Sequence, residues 1–200
     1  MSKTSRVITA VGALVLLALY AVPLWQIRLV APQYPEGLGM LIHLRTITGV
    51  KPTDLQNING LNHYIGMRPI EPEAIPVLRV MPWIVAGLVV FGCGVALVGR
   101  RRLVAGWLTA FLVAALAGFA EFWWWGYDYG HNLAADAIIK VPGLSYQPPL
   151  LGSKQLLNFT ATSLPAAGAY AALLAFALGI AALAMSKRDM RIQTRLRVAA

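Results

Sequence analysis

The sequence predicts an all-α integral membrane protein, with four transmembrane helices carrying a small extracytoplasmic cap formed by two long loops. Three observations point there. The chain has 200 residues, 58% hydrophobic and only 12% charged, whereas a soluble domain carries about a quarter charged residues. Four apolar stretches, residues 7–25, 81–99, 103–125 and 164–185, each reach the roughly 20 residues that a hydrocarbon core of about 30 Å asks of a helix. Between them lie residues 26–80 and 126–163, too long for mere connectors, and residues 186–200 follow as a tail.

Basic residues orient these spans. Lys3 and Arg6 precede the first, and Arg100, Arg101 and Arg102 form the turn between the second and third. Lys187, Arg188, Arg191, Arg195 and Arg197 follow the fourth, opposed only by Asp189. The long loops hold Arg28, Arg45, Lys51, Arg68, Arg79, Lys140 and Lys154 against seven acids, so the whole formal charge of +9 lies on one side. The positive-inside rule then puts both termini in the cytoplasm and both loops outside. The isoelectric point near 10.1 accordingly reports topology and not nucleic-acid binding; a basic tail gripping anionic lipid is the weaker rival.

Each element follows in order. The first span begins like a signal peptide, but no A-x-A site follows and Trp25 with Gln26 resembles an interfacial exit, so a retained anchor is expected. In the first loop, "WQIRLVA" and "GMLIHLRTI" alternate at period two around the turn-rich "APQYPEGLG", which predicts a short two-stranded β-ribbon. "PTDLQNINGLNHYIGM" offers a Thr or Asp N-cap and then Leu55, Ile58, Leu61 and Ile65 at helical spacing, predicting a short helix that ends near Gly66. A ribbon alone is marginal in water, so the two loops are expected to pack into one cap. The second and third spans form a tight hairpin. Small residues every fourth position (Gly106, Ala110, Ala114, Gly118 and Ala167, Ala171, Ala175, Gly179) predict packing of the third span on the fourth along those stripes. Pro165 after Ser163 suits a first helical turn. The lone cysteine, Cys93, excludes an internal disulfide.

Chemistry, if present, belongs to the loops. All three histidines, His43, His63 and His131, fall there, with Met40 and Met67 beside them. Imidazole and thioether together suit copper, especially Cu(I). On a helix His63 and Met67, four apart, share a face; Met40 and His43, three apart on a strand, point to opposite faces. The bland alternative is capping histidines, core methionines, and Asn, Tyr and Gly that make turns and a docking surface. In residues 118–132, "GFAEFWWWGYDYGHN", the tryptophans and tyrosines form an interfacial belt. Glu121 is unusual there: an acid at that depth normally faces the bundle or a partner, with Arg28, Arg79 or a cation as candidates. No P-loop, G-x-G-x-x-G, H-E-x-x-H or G-x-S-x-G motif is present, so no enzyme is indicated.

The phrases "APQYPEGLGM", "LQNINGLNHYIGM", "YDYGHNL" and "GSKQLLNFTA" resemble a small four-span membrane accessory protein of the gene clusters of atypical, clade II nitrous oxide reductases. The likeness covers roughly residues 24–165. It implies a bacterial inner-membrane protein near a periplasmic copper enzyme, and carries over no functional residue. Two functions are therefore expected. The first is a non-enzymatic accessory that assists copper supply or maturation of the periplasmic reductase, with His63, Met67, Met40, His43 and His131 as candidate ligands. The second is a metal-free docking or anchoring module for the reductase, its maturation proteins or an electron-transfer protein.

Overall fold

The computed structural model describes residues 1–199 apart from residues 136, 140–142 and 144, and describes side chains as far as Lys187. The side chains of Arg188, Asp189, Arg191, Arg195 and Arg197, and residue Lys140, used above to assign charge to sides, lie outside the described residues.

Four helices are long and apolar enough to cross a membrane, which makes this a multi-pass membrane protein. α1 (Lys3–Val15) continues as a tighter turn, Leu16–Tyr20; α3 is Pro76–Val98, α4 Arg101–His131 and α5 Ala167–Ala199. Ser2 caps α1 by accepting the Ser5 amide. Arg6 donates to the Ala96 carbonyl at 2.7 Å and to that of Leu97, satisfying the free carbonyls at the α3 C-terminus. Gly99, with φ at 70°, then turns the chain directly into α4.

Trp107 is the centre of the helical core. It is wholly buried, and its indole N–H donates to the Leu88 carbonyl at 2.8 Å. Glycines on two neighbouring helices make room for the ring: a Cβ at Gly92 would lie 2.9 Å from it, and one at Gly179 2.7 Å. This corrects the predicted packing of stripe on stripe. Gly179 meets Trp107 and Leu108, Gly12 of α1 fits against the Ala175 carbonyl, and Gly118 has no neighbour within 4 Å. The bulkiest side chain chose the contact face: Ala110 and Ala114 of α4 pack at its margin, while Gly106 is exposed.

At the end opposite the α3–α4 turn, both long loops contribute to one antiparallel sheet, ordered β3-β2-β1-β5-β4. Its strands are β1 (Trp25–Ala31), β2 (Tyr34–Ile42), β3 (Ile47–Gly49), β4 (Gly152–Leu156) and β5 (Phe159–Pro165). The two-stranded ribbon is thus part of a five-stranded sheet. The second strand starts inside the supposed turn, at Tyr34, and the turn shrinks to residues 32–33. Pro165 closes β5, pairing with Trp25, instead of opening a helix; its missing N–H is harmless at a strand end. α2 (Asp54–Tyr64) packs beneath the sheet. Its Ile58 joins Ile27, Leu38, Met40 and Ile47 in a second core, closed by Phe122, Trp125 and Tyr129 of α4. α4 runs on to His131 because those aromatics have an apolar surface to cover.

Candidate functional site

β1 alternates between two environments. Ile27 and Ala31 are buried on the inner face, while Arg28 and Val30 are exposed on the other. Pairing carries the alternation onto β5: Ile27 opposes the buried Ser163, and Arg28 opposes Thr162. Trp25 fixes the membrane end by donating to Ser163 Oγ at 2.7 Å. On the outer face Gln26, Arg28, Val30, Thr162 and Leu164 line an open depression of about 400 Å³. The Arg28 guanidinium donates to the Glu36 carbonyl at 2.8 Å, stretched over Gly37, where a Cβ would come within 2.8 Å of Nε. A cation, an amide, a hydroxyl and two aliphatic side chains thus share one unobstructed surface. That mixture suits an extended, partly acidic protein segment more than a small apolar ligand.

The rest of the cap is locked by backbone-directed polar groups. Asp54 is buried and accepts the amides of Gly39 at 2.9 Å and Lys51 at 3.1 Å. The Asn59 side chain pairs with both backbone groups of Ile70, at 2.8 and 3.3 Å. α2 ends in a Schellman motif: Met67 donates to the Asn62 carbonyl, Gly66 to that of His63, and Gly66 has φ at 78°. The second loop then binds this terminus, with Ala134 donating to the Gly66 carbonyl at 2.7 Å and Ile139 to that of Tyr64 at 2.9 Å. Arg68 pairs with Asp128 and lies over the Tyr129 ring.

The candidate metal ligands occupy separate environments. Met40, 4% exposed, is a core residue of the cap. His43 lies outside the strands and shares a hydrogen bond with the Thr48 hydroxyl. His63 is exposed in the last turn of α2, and Met67 lies beyond the helix, so the shared-face argument for that pair does not apply. His131 ends α4, stacked 4.0 Å from the Tyr127 ring with Nδ1 against the Tyr127 carbonyl, which leaves Nε2 as its possible donor to a metal. Among the described residues no three His, Cys, Asp or Glu side chains converge on a point that could hold a metal ion. Buried polar atoms without partners in the cap include Asn62 Nδ2 and Trp125 Nε1. Both are N–H donors without a lone pair for a cation, so they do not fit a metal.

Glu121 is exposed on α4, and neither suggested partner reaches it: Arg28 donates to Glu36, and Arg79 to the Glu73 carbonyl. Trp123, Trp124 and Tyr127 beside it are exposed and mutually stacked or tilted. The outer sheet face was the feature sequence reading missed. Alternation in "WQIRLVA" already put Gln26, Arg28 and Val30 on one side, but their neighbours come from β5, whose "FTATSLP" lacks an apolar rhythm. No family model matches the chain, and no curated protein matches it significantly.

Proposed function

We propose that this chain is a non-enzymatic accessory protein of nitrous oxide respiration, a membrane-anchored docking module whose sheet receives a segment of a periplasmic partner. The resemblance of its loop phrases to the clade II accessory protein supplies the system. The observation that carries the docking reading is the outer face around Arg28 and Thr162, open and of mixed apolar and polar character, on a cap whose other face is filled. The basic cluster at the α3–α4 turn, with Lys3 and Arg6, supports a topology with that end in the cytoplasm of a bacterial inner membrane and the cap in the periplasm. The sheet is thereby held at the membrane surface, within reach of the reductase, its maturation proteins or an electron-transfer protein.

Copper supply is the second reading, favoured by one observation. The bonds from the Ala134 and Ile139 amides to the Gly66 and Tyr64 carbonyls draw those parts of the second loop onto the stretch that holds His63 and Met67. His63, Met67 and His131 would be the ligands, Met40 being committed to the core. Co-purification from native membranes tests the docking proposal: the reductase or one of its maturation or electron-transfer proteins should accompany the wild-type chain and be lost with Arg28→Glu. Retention of the same partners by Arg28→Glu would contradict it.

A further inference from the structure

Arg101 opens α4 with a donor that has no acceptor. Its Nε–H is closed off from water, and no acceptor among the described residues reaches it. A guanidinium never sheds its proton, so a buried donor on it costs stability until an acceptor meets it. No described carboxylate stands at this end. Glu36, Asp54, Glu71, Glu73, Glu121 and Asp128, the acids with described side chains, all lie in the cap or at the cap-side ends of α3 and α4. Arg6 of α1 is already bonded to the Ala96 and Leu97 carbonyls. Lys3, Arg100 and Arg102 are exposed and add further positive charge around the turn.

Below these cations α4 presents one uncovered apolar strip. Arg101 and Arg102 lie four and three residues before Ala105, and Thr109, Leu112 and Leu116 follow it at steps of four, three and four. That spacing keeps all of them on one face of the helix. Ala105 is half-buried and Thr109 exposed, while Leu112 and Leu116 are 46% and 59% exposed. The Thr109 hydroxyl donates to the Ala105 carbonyl at 3.0 Å, so even this residue asks nothing of water. Leu116 stands about 20 Å from Arg102 at 1.5 Å per residue, more than the roughly 15 Å that one leaflet takes of a core of about 30 Å. Side chains of a first helical turn lean back toward the helix N-terminus, which carries both guanidinium groups to the headgroup layer.

We propose that the start of α4 binds an anionic lipid: its phosphate is held by Arg101 and Arg102, and its acyl chains lie along Ala105, Thr109, Leu112 and Leu116. Charge selects the headgroup, because guanidinium groups pair with phosphate oxygens in a two-pronged geometry and supply the acceptor that the Arg101 Nε–H lacks. The strip selects a lipid over a free phosphate, since a small anion would leave it uncovered. The cap and its docking face take no part.

The experiment titrates the delipidated full-length chain, in a non-ionic detergent, with dioleoyl-phosphatidylglycerol, dioleoyl-phosphatidylcholine and inorganic phosphate, and reads bound molecules by native mass spectrometry. Wild type is compared with Arg101→Lys, with the double variant Arg101→Gln/Arg102→Gln, and with Arg45→Gln, an exposed residue of the cap; circular dichroism verifies helix content. Wild type should bind the anionic lipid about tenfold more tightly than the zwitterionic one. The double variant should lose that preference, and Arg45→Gln should keep it. Arg101→Lys keeps the charge but has no donor at the Nε position, and should weaken binding several-fold. Equal binding of the two lipids by wild type, a double variant that keeps the preference, or an equal loss in Arg45→Gln would overturn the proposal. So would an Arg101→Lys chain that binds as wild type does, which would reduce the site to net charge. Displacement of the lipid by inorganic phosphate would overturn it too, making free phosphate the ligand. Should the double variant lose its helix content, Arg101→Lys decides alone.

Discussion

Asp54 of α2 accepts the Gly39 amide of β2 at 2.9 Å, fastening the helix to the sheet from a buried position. Its second acceptor bond, from Lys51, closes the turn that leads into the helix. The sequence suggested Thr or Asp as a helix cap; the residue before the helix, Thr53, makes no side-chain cap bond, and Asp54 instead acts between elements. Asp54→Ala would leave two backbone donors without their acceptor. The expected cost is about 2–4 kcal/mol to the cap, with Asp54→Asn costing less because an amide oxygen still accepts. Hydrogen exchange at Gly39 and Lys51 reads this directly: faster exchange in Asp54→Ala is expected, and unchanged protection would show that the bonds do not hold the cap.

Gly66 joins the two loops. With φ at 78°, and a Cβ position 2.7 Å from that of Ala137 and 3.1 Å from the Ala134 backbone, it accommodates no side chain. Gly66→Ala is expected to cost about 1–3 kcal/mol and to release the amides of Ala134 and Ile139, which donate to the Gly66 and Tyr64 carbonyls. Exchange at those two amides should accelerate while that of the transmembrane helices stays as in wild type. Equal protection in both forms would sink the assignment.

The helical core makes a separate forecast. Trp107→Phe removes the donor to the Leu88 carbonyl and part of the ring that fills the space at Gly92 and Gly179. A loss of about 1–2 kcal/mol is expected, and about 3–5 kcal/mol for Trp107→Ala. Thermal unfolding in micelles should show a graded fall in midpoint, larger for alanine. Two variants indistinguishable from wild type would mean that the tryptophan does not organise the bundle.

The spans were legible because membrane length and hydropathy depend on composition alone, and the tight hairpin because only Arg100 and its neighbours separate two apolar runs. β1 was legible from its alternation. β4 and β5 were not, because "GSKQL" and "FTATSLP" owe their strand state to pairing with Trp25–Ala31 in the other loop. The third span does pack on the fourth, but not stripe on stripe: Gly106 and Gly118 look like an interface, whereas Trp107, one residue from the first of them, decides which side of α4 is buried. The candidate ligands were found as residue types, yet burial of Met40 in the cap core depends on which face of β2 meets α2, and that is set by a contact distant in sequence.

Copper binding separates the two functional readings. Titration of the purified chain with Cu(I) against a competing chelator is expected to leave the metal with the chelator, with His63→Ala and Met67→Ala behaving as wild type does. Tight retention by wild type that both variants lose would replace the docking reading with the copper one.

The most direct test is binding of purified nitrous oxide reductase, and of its maturation and electron-transfer proteins, to the full chain in nanodiscs, with and without changes on the outer sheet face. Arg28→Glu and Thr162→Trp alter an exposed and a half-buried neighbour on paired strands, both on the outer face of the sheet. At least one of these partners should bind wild type, and either change should weaken that binding about tenfold or more, on the scale of a lost interfacial anchor. No binding to wild type, or binding that both altered faces leave unchanged, would contradict a docking sheet.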